Sequence, residues 1–206
     1  MNQRLASTFA ALKADLIHEE GPRISTMRNY RFCIAVYQPR EEFELRRHVQ
    51  RLTSELVAGG WVVKGISLQR VLLNRLRSHG EHDIARIIQR EKGVTAKNAE
   101  RGLNFLKDKI TPELEGPEGI AADLAKEIQD FIAANPDKAE RTLVIIGRVG
   151  ALYPFFRSSA LLKHLDGHTK NVPVVLMYPG ERLGETGLRF MGKGGADSDY
   201  RPRIYG

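Results

Sequence analysis

Gly147, Arg148, Val149 and Gly150 follow a run of β-forming residues, Leu143 to Ile146, and precede an apolar stretch with helical spacing from Ser158 to Leu165. Strand, glycine loop and helix in that order form the frame on which phosphate-binding loops are built. The chemistry of such a loop is demanding. The pattern G-x-x-x-x-G-K-[ST] wraps backbone N–H groups around phosphates, sets a lysine on the β/γ-phosphates and places a hydroxyl on magnesium. Read from Gly147, the sequence is G-R-V-G-A-L-Y-P: the second glycine comes too early, and neither lysine nor hydroxyl follows it. Read from Gly150, no second glycine falls at the required place. Arg157-Ser158 imitates Lys-Ser only in charge and hydroxyl, because a planar guanidinium fork does not replace a compact ammonium. The dinucleotide pattern G-x-G-x-x-G fails too, since the spacing after the strand is G-x-x-G. The loop has the shape of a nucleotide site without the groups that hold a nucleotide.

Other chemistries find no better support. A nucleophile elbow needs G-x-S-x-G, which does not occur. Ser158 and Ser159 lie near His164 and His168 in sequence, but on a helix that spacing sets no attack geometry, and serines suit a helix cap there. A zinc site needs three or four clustered ligands; His79, His82 and Asp83 straddle a helix break with no second cluster beside them. Glu41, Glu42 and Glu44 fall in the first turn of a helix, where carboxylates complement the helix dipole. The single cysteine, Cys33, excludes an intrachain disulfide and reads as a buried thiol within a strand. No catalytic residue, cofactor or metal is expected, and the chain reads as a non-enzyme.

What the loop does carry is arginine and aromatic side chains. In open parallel sheets, ligands and partners dock beyond the carboxyl ends of the strands, and these residue types are enriched at protein interfaces. Arg148, Tyr153, Phe155, Phe156 and Arg157 are candidates for such a surface, with one or two of the aromatics expected to plug the core instead. Tyr37 closes an earlier strand, and Tyr-Pro recurs at 153–154 and 178–179, which puts Tyr178 near the same edge. The net charge of +7 favours acidic partners. Arg46, Arg47 and Arg51, then Arg70, Arg75 and Arg77, then Arg86, Arg90 and Lys92 lie along successive helices. Such stripes either meet nucleic-acid phosphates or are solvated faces, and no named nucleic-acid motif accompanies them. Arg201 and Arg203 alternate with tyrosines in YRPRIYG, a place to cradle an anion or dock on a partner.

The elements that must position these residues are legible from periodicity. Residues 2 to 19 predict an amphipathic helix, with Leu5, Phe9, Leu12 and Leu16 on one face. RFCIAVY is a nearly continuous apolar run, as in a central strand covered on both sides. EEFELRRHVQRLTSELVAGG predicts a helix with Phe43, Leu45, Val49, Leu52 and Leu56 as its apolar residues and a glycine pair at its end. WVVKGISL is a second strand, parallel to the first through this helix. A helical block, roughly 69–135, separates it from the third strand, TLVIIG. VPVVLMYPG is a fourth strand ended by a Pro-Gly turn, and GLRFMG and YRPRIYG are short extended pieces. With 206 residues and 42% hydrophobic content the chain predicts one α/β domain spanning 1–206, its mainly parallel central sheet flanked by helices. No stretch approaches the ~18 apolar residues needed to span a bilayer, and the N-terminal helix carries charges throughout, unlike a signal peptide. A cytoplasmic location is expected.

The blocks NYRFCIAVYQPREEFELRR, GWVVKGISL, GRVGALYPFFRSSALLKHL, VPVVLMYPG, GLRFMG and YRPRIY together resemble the BrxB family, a small component of BREX (bacteriophage exclusion) defence islands. The resemblance runs from about residue 29 to the C-terminus and is weaker through the helical middle. It implies a role in defence against phage beside a methyltransferase, ATPases and the alkaline-phosphatase-like protein PglZ. It implies action by binding other BREX proteins, PglZ first; the arginine stripes leave DNA as a further candidate partner, and no membrane partner is expected. It supplies no catalytic residue. The matching motif residues Tyr37, Pro39, Arg148, Gly150, Tyr153, Pro154, Arg157, Ser158, Tyr178, Pro179, Arg201 and Arg203 mark a candidate surface.

Overall fold

The computed structural model describes residues 3–24, 31–116, 118–156, 158–165, 169, 172–193, 195 and 202–206. Arg157 and Arg201 therefore lie outside the described residues. The chain opens with α1 (Gln3–Leu16), β1 (Phe32–Tyr37), α2 (Glu42–Ala58) and β2 (Val62–Ser67). Four helices follow: α3 (Leu68–Ser78), α4 (Glu81–Thr95), α5 (Ala99–Leu114) and α6 (Ile120–Ala133). Then come β3 (Thr142–Gly147), α7 (Ser158–Leu165), β4 (Val174–Leu183), β5 (Gly187–Phe190) and β6 (Arg203–Tyr205). The fold is α/β, with a mainly parallel sheet ordered β2-β3-β4-β1-β6 and β5 paired antiparallel to β4. β1 and β2 run parallel, as their helical connection requires, but β3 and β4 lie between them.

Alternation along the strands divides the core into two layers. Cys33, Ala35, Tyr37, Leu143, Ile145, Val175 and Met177 face α1 and α2, packing on Leu5, Leu12 and Leu16 of the first and Leu45, Leu52 and Leu56 of the second. Phe32, Ile34, Val36, Val144, Ile146, Val174, Leu176 and Tyr178 face the other way, onto α3, α6 and α7. This is why β1 reads as an unbroken apolar run: all six of its residues are buried, three to each side. Each fully buried leucine in these layers contributes about 2 kcal/mol.

The helical block divides in two. α3 and α6 lie on the sheet through Val71, Leu72, Leu124 and Ile128, whereas α4 buries no residue and pairs with α5 as a projecting hairpin. Arg75 ties α3 to the others, with its Nε 2.6 Å from Glu113 of α5 and its Nη1 3.0 Å from Asp123 of α6.

Two expectations need correcting. The fourth strand does not stop at Pro179-Gly180; β4 continues to Leu183 and returns as β5. Proline survives there because the strand changes partners at that point. Tyr37 is opposite Pro179 in the parallel ladder, Gly180 is already opposite Phe190 in the antiparallel one, and the Pro179 carbonyl accepts from Met191 N–H at 2.8 Å. Gly180 is required: a Cβ would fall 2.2 Å from the Arg189 carbonyl oxygen. The second correction is Phe43, which is 72% exposed and not part of the apolar face of α2. That face is Leu45, His48, Leu52 and Leu56, at steps of three and four, and Phe43 lies two residues before its start.

Candidate functional site

β1 and β3 flank β4; both release their chain at their carboxyl ends, where β4 passes from its parallel ladder into the hairpin with β5. β1 ends at Tyr37 and turns through Gln38 into a short 3₁₀ segment, Pro39–Glu41, which leads into α2. Glu41 Oε2 accepts from Gln38 N–H at 3.0 Å, which fixes this entry. β3 ends at Gly147, and Arg148 takes a left-handed backbone (φ 60°, ψ 29°) that residues with side chains seldom adopt. A 3₁₀ turn over Val149–Leu152 follows, with Val149 and Leu152 buried. Gly150 has its Cα against β4: an added Cβ would lie 3.2 Å from Pro179 and 3.3 Å from Met191. The glycine that suggested a phosphate cradle is thus small because the loop presses on the β4–β5 hairpin.

The polar centre of this rim is Glu42. Its Oε2 accepts from the Tyr37 hydroxyl at 2.5 Å. Its Oε1 lies 3.4 Å from Nε and Nη2 of Arg46 and 3.8 Å from Nη1 of Arg148. Burial and the hydrogen bond to Glu42 push the Tyr37 phenol well above its ordinary range, so it stays a neutral donor. On the other face of these strand ends is an aromatic cluster around Phe190 of β5. Tyr178, Phe156 and Tyr153 place their ring centroids 5.5, 5.9 and 6.1 Å from it, within the range of favourable ring pairs. Both Tyr-Pro tyrosines thus meet one ring, which puts the two motifs on one edge.

The candidate residues take different places. Tyr37, Phe156 and Tyr178 are buried and shape the rim from beneath, and Phe155 is partly buried against the core. Tyr153 and Arg148 are exposed, with 41% of the tyrosine and 47% of the arginine side chain open to solvent. Arg203 is on the edge strand β6, level with Cys33 near the start of β1, and is engaged within the molecule. Its Nη2 is 2.9 Å from Asp15 of α1, its Nη1 donates to the Arg23 carbonyl at 2.9 Å, and its guanidinium lies 5.1 Å from the Tyr205 ring centroid. Sequence reasoning missed Phe43 and Glu42. For Phe43, helical phase carried the signal; for Glu42, contact with Arg148 across the fold left none.

The other candidate chemistries resolve into local contacts. His79 pairs with Glu113 at 3.0 Å, while His82 lies 3.9 Å from Asp83. No group of three or more His, Cys, Asp or Glu arranged for a metal occurs among the described residues. Ser158 is buried at the start of α7, and His168 lies outside the described residues. Of the arginine stripes, Arg75 is tied to two carboxylates, Arg86 is 3.2 Å from Asp83, and Arg90 lies 5.6 Å from the centroid of the Phe105 ring. No helix among the described residues is long and apolar enough to cross a membrane.

Fold and rim together define a three-layer α/β protein whose strand ends carry arginine and aromatic side chains where a phosphate-binding loop in the same strand–loop–helix order needs lysine and hydroxyl groups. Residues 64–204, roughly two thirds of the chain, match the family described as BREX protein BrxB. The chain belongs to the BrxB family and is a component of BREX anti-phage defence. No curated protein and no solved structure matches it.

Proposed function

We propose that this protein is a non-enzymatic interaction module of the BREX machinery that docks PglZ through the strand-end rim, in the cytoplasm and without a cofactor. The observation that carries the reading is the exposure of Phe43, Tyr153, Arg46 and Arg148 above a buried framework of Tyr37, Phe156 and Tyr178. A large exposed aromatic costs solubility and gains the fold little, and aromatic and arginine anchors dominate binding energy at interfaces. The framework beneath holds them in place, so little side-chain freedom is lost on docking. The test is co-purification and titration with PglZ. A complex at micromolar concentrations is expected, weakened at least tenfold by the double substitution Phe43→Ala, Tyr153→Ala. Absence of a complex between two folded proteins overturns the reading.

A nucleic-acid role is the second reading, favoured by the net charge of +7 and by exposed Arg47, Arg51, Arg70 and Arg77. It requires binding that weakens steeply with salt. It ranks behind docking because Arg75 and Arg86 of the stripes already face carboxylates.

A further inference from the structure

We propose that Arg46 and Arg148 form a receptor for an acidic side chain of a partner protein, and that Glu42 occupies the place of that side chain in the free molecule. The inference rests on the rim being a docking surface and names the chemistry of what docks. Two guanidinium groups converge on one carboxylate oxygen, Oε1 of Glu42, at 3.4 and 3.8 Å. Charge-assisted N–H···O bonds close to about 2.7–2.9 Å, so neither guanidinium is drawn fully onto Glu42. Both arginine side chains are nearly half exposed, while Glu42 is 25% exposed and held from behind by Tyr37. The left-handed backbone of Arg148 is fixed by buried Val149 and by Gly150 against Pro179, which points the guanidinium to this spot.

The flanks decide the class of occupant. Arg46 stacks 5.0 Å from the centroid of the exposed Phe43 ring, and Tyr153 stands exposed on the loop that follows Arg148. Isolated cationic sites framed by aromatics suit one acidic residue beside an apolar one in a protein segment. A phosphodiester chain needs a train of cations, and here two converge on one spot. The incoming carboxylate takes over the guanidinium donors and leaves Glu42 to Tyr37 alone. Glu42 is then an internal competitor, and removing its charge strengthens binding.

The test uses the full chain and a probe independent of PglZ. The ¹⁵N-labelled protein is titrated with a short peptide of glutamates around one tryptophan, following the Nε–H signals of Arg46 and Arg148. Both signals are expected to shift together. Glu42→Gln, which keeps an acceptor for Tyr37, tightens the peptide at least threefold, and Arg148→Glu weakens it at least tenfold while the cooperative unfolding transition is retained. Shifts absent at millimolar peptide, or affinity unchanged or lowered by Glu42→Gln, overturn the proposal. So does a DNA duplex that moves the same two signals at lower concentration. A parallel titration with PglZ separates the two claims. PglZ binding sensitive to Phe43→Ala without peptide shifts sinks the acidic receptor and keeps the docking reading; peptide shifts without PglZ binding do the reverse.

Discussion

The described residues contain a tyrosine–carboxylate–arginine triplet twice, with a second arginine added at the rim. At the rim, the Tyr37 hydroxyl donates to Glu42, which faces Arg46 and Arg148; at the edge strand, the Tyr205 hydroxyl donates to Asp15 at 2.7 Å, which faces Arg203. The triplets differ in closure. Arg203 is 2.9 Å from its carboxylate, gives a second bond to a backbone carbonyl and stacks on its own tyrosine. Arg148 lies 3.8 Å away and shares its carboxylate with another arginine. Composition is therefore a poor guide to role. A guanidinium with its donors engaged is a clamp, and one with donors to spare is open to a further acceptor.

Truncating each arginine to alanine is the sharpest way to break this contrast. Arg203→Ala removes a charge-assisted bond, a backbone bond and a ring contact, and its expected cost is about 2 kcal/mol in denaturant unfolding. Arg148→Ala removes a long, solvated ion pair, for which about 0.5 kcal/mol is expected. Equal losses would mean that the rim triplet is as structural as the clamp.

The difference between the triplets was not legible in the sequence, whereas most of the fold was. β1 and β3 announce themselves as apolar runs, and α1 and α6 as stripes at helical spacing, because burial imposes local periodicity. Strand order leaves no such trace: nothing near Val62 says that β3 will pair with it. Carboxylate partners are equally silent. Asp15 and Tyr205 meet across 190 residues of chain, and Arg75 reaches its two acids across 38 and 48. Arg148 and Arg203 therefore look alike as letters, and only tertiary distance separates them. The Pro-Gly pair misled for a local reason, since its turn signal is cancelled by the exchange of strand partners at Pro179.

Cys33 gives the contrast a reporter, because it lies opposite Arg203 in the β1–β6 register. Burial raises its thiol above the ordinary 9.0, the nearby Arg203 opposing and Asp15 reinforcing the shift. Above pH 9 the unfolded chain releases a proton that the folded chain keeps. The unfolded state then binds fewer protons, and stability falls as pH rises, by about 1 kcal/mol between pH 9 and 10. Cys33→Ala is expected to remove this component. It leaves the further loss above pH 10 from Tyr37 and Tyr205, both raised by burial and by their carboxylate bonds. At neutral pH, thiol labelling of the native protein should be slow and should accelerate with Arg203→Ala but not with Arg148→Ala. Labelling that accelerates equally in both variants would show that the two ends open as one unit.

The smallest effect tests the rim most directly. Phe43 lies in the first turn of α2, whose buried residues begin at Leu45, and its exposed ring meets Arg46. An exposed phenylalanine loses almost no burial on truncation, and an exposed cation–π contact is worth about 0.5 kcal/mol. Phe43→Ala is thus expected to change unfolding free energy by no more than about 0.5 kcal/mol. Were the ring serving the fold, the loss would approach that of a core side chain, several times larger. A near-silent stability result joined to weakened partner binding places the energy of Phe43 outside its own chain, where a docking surface must spend it.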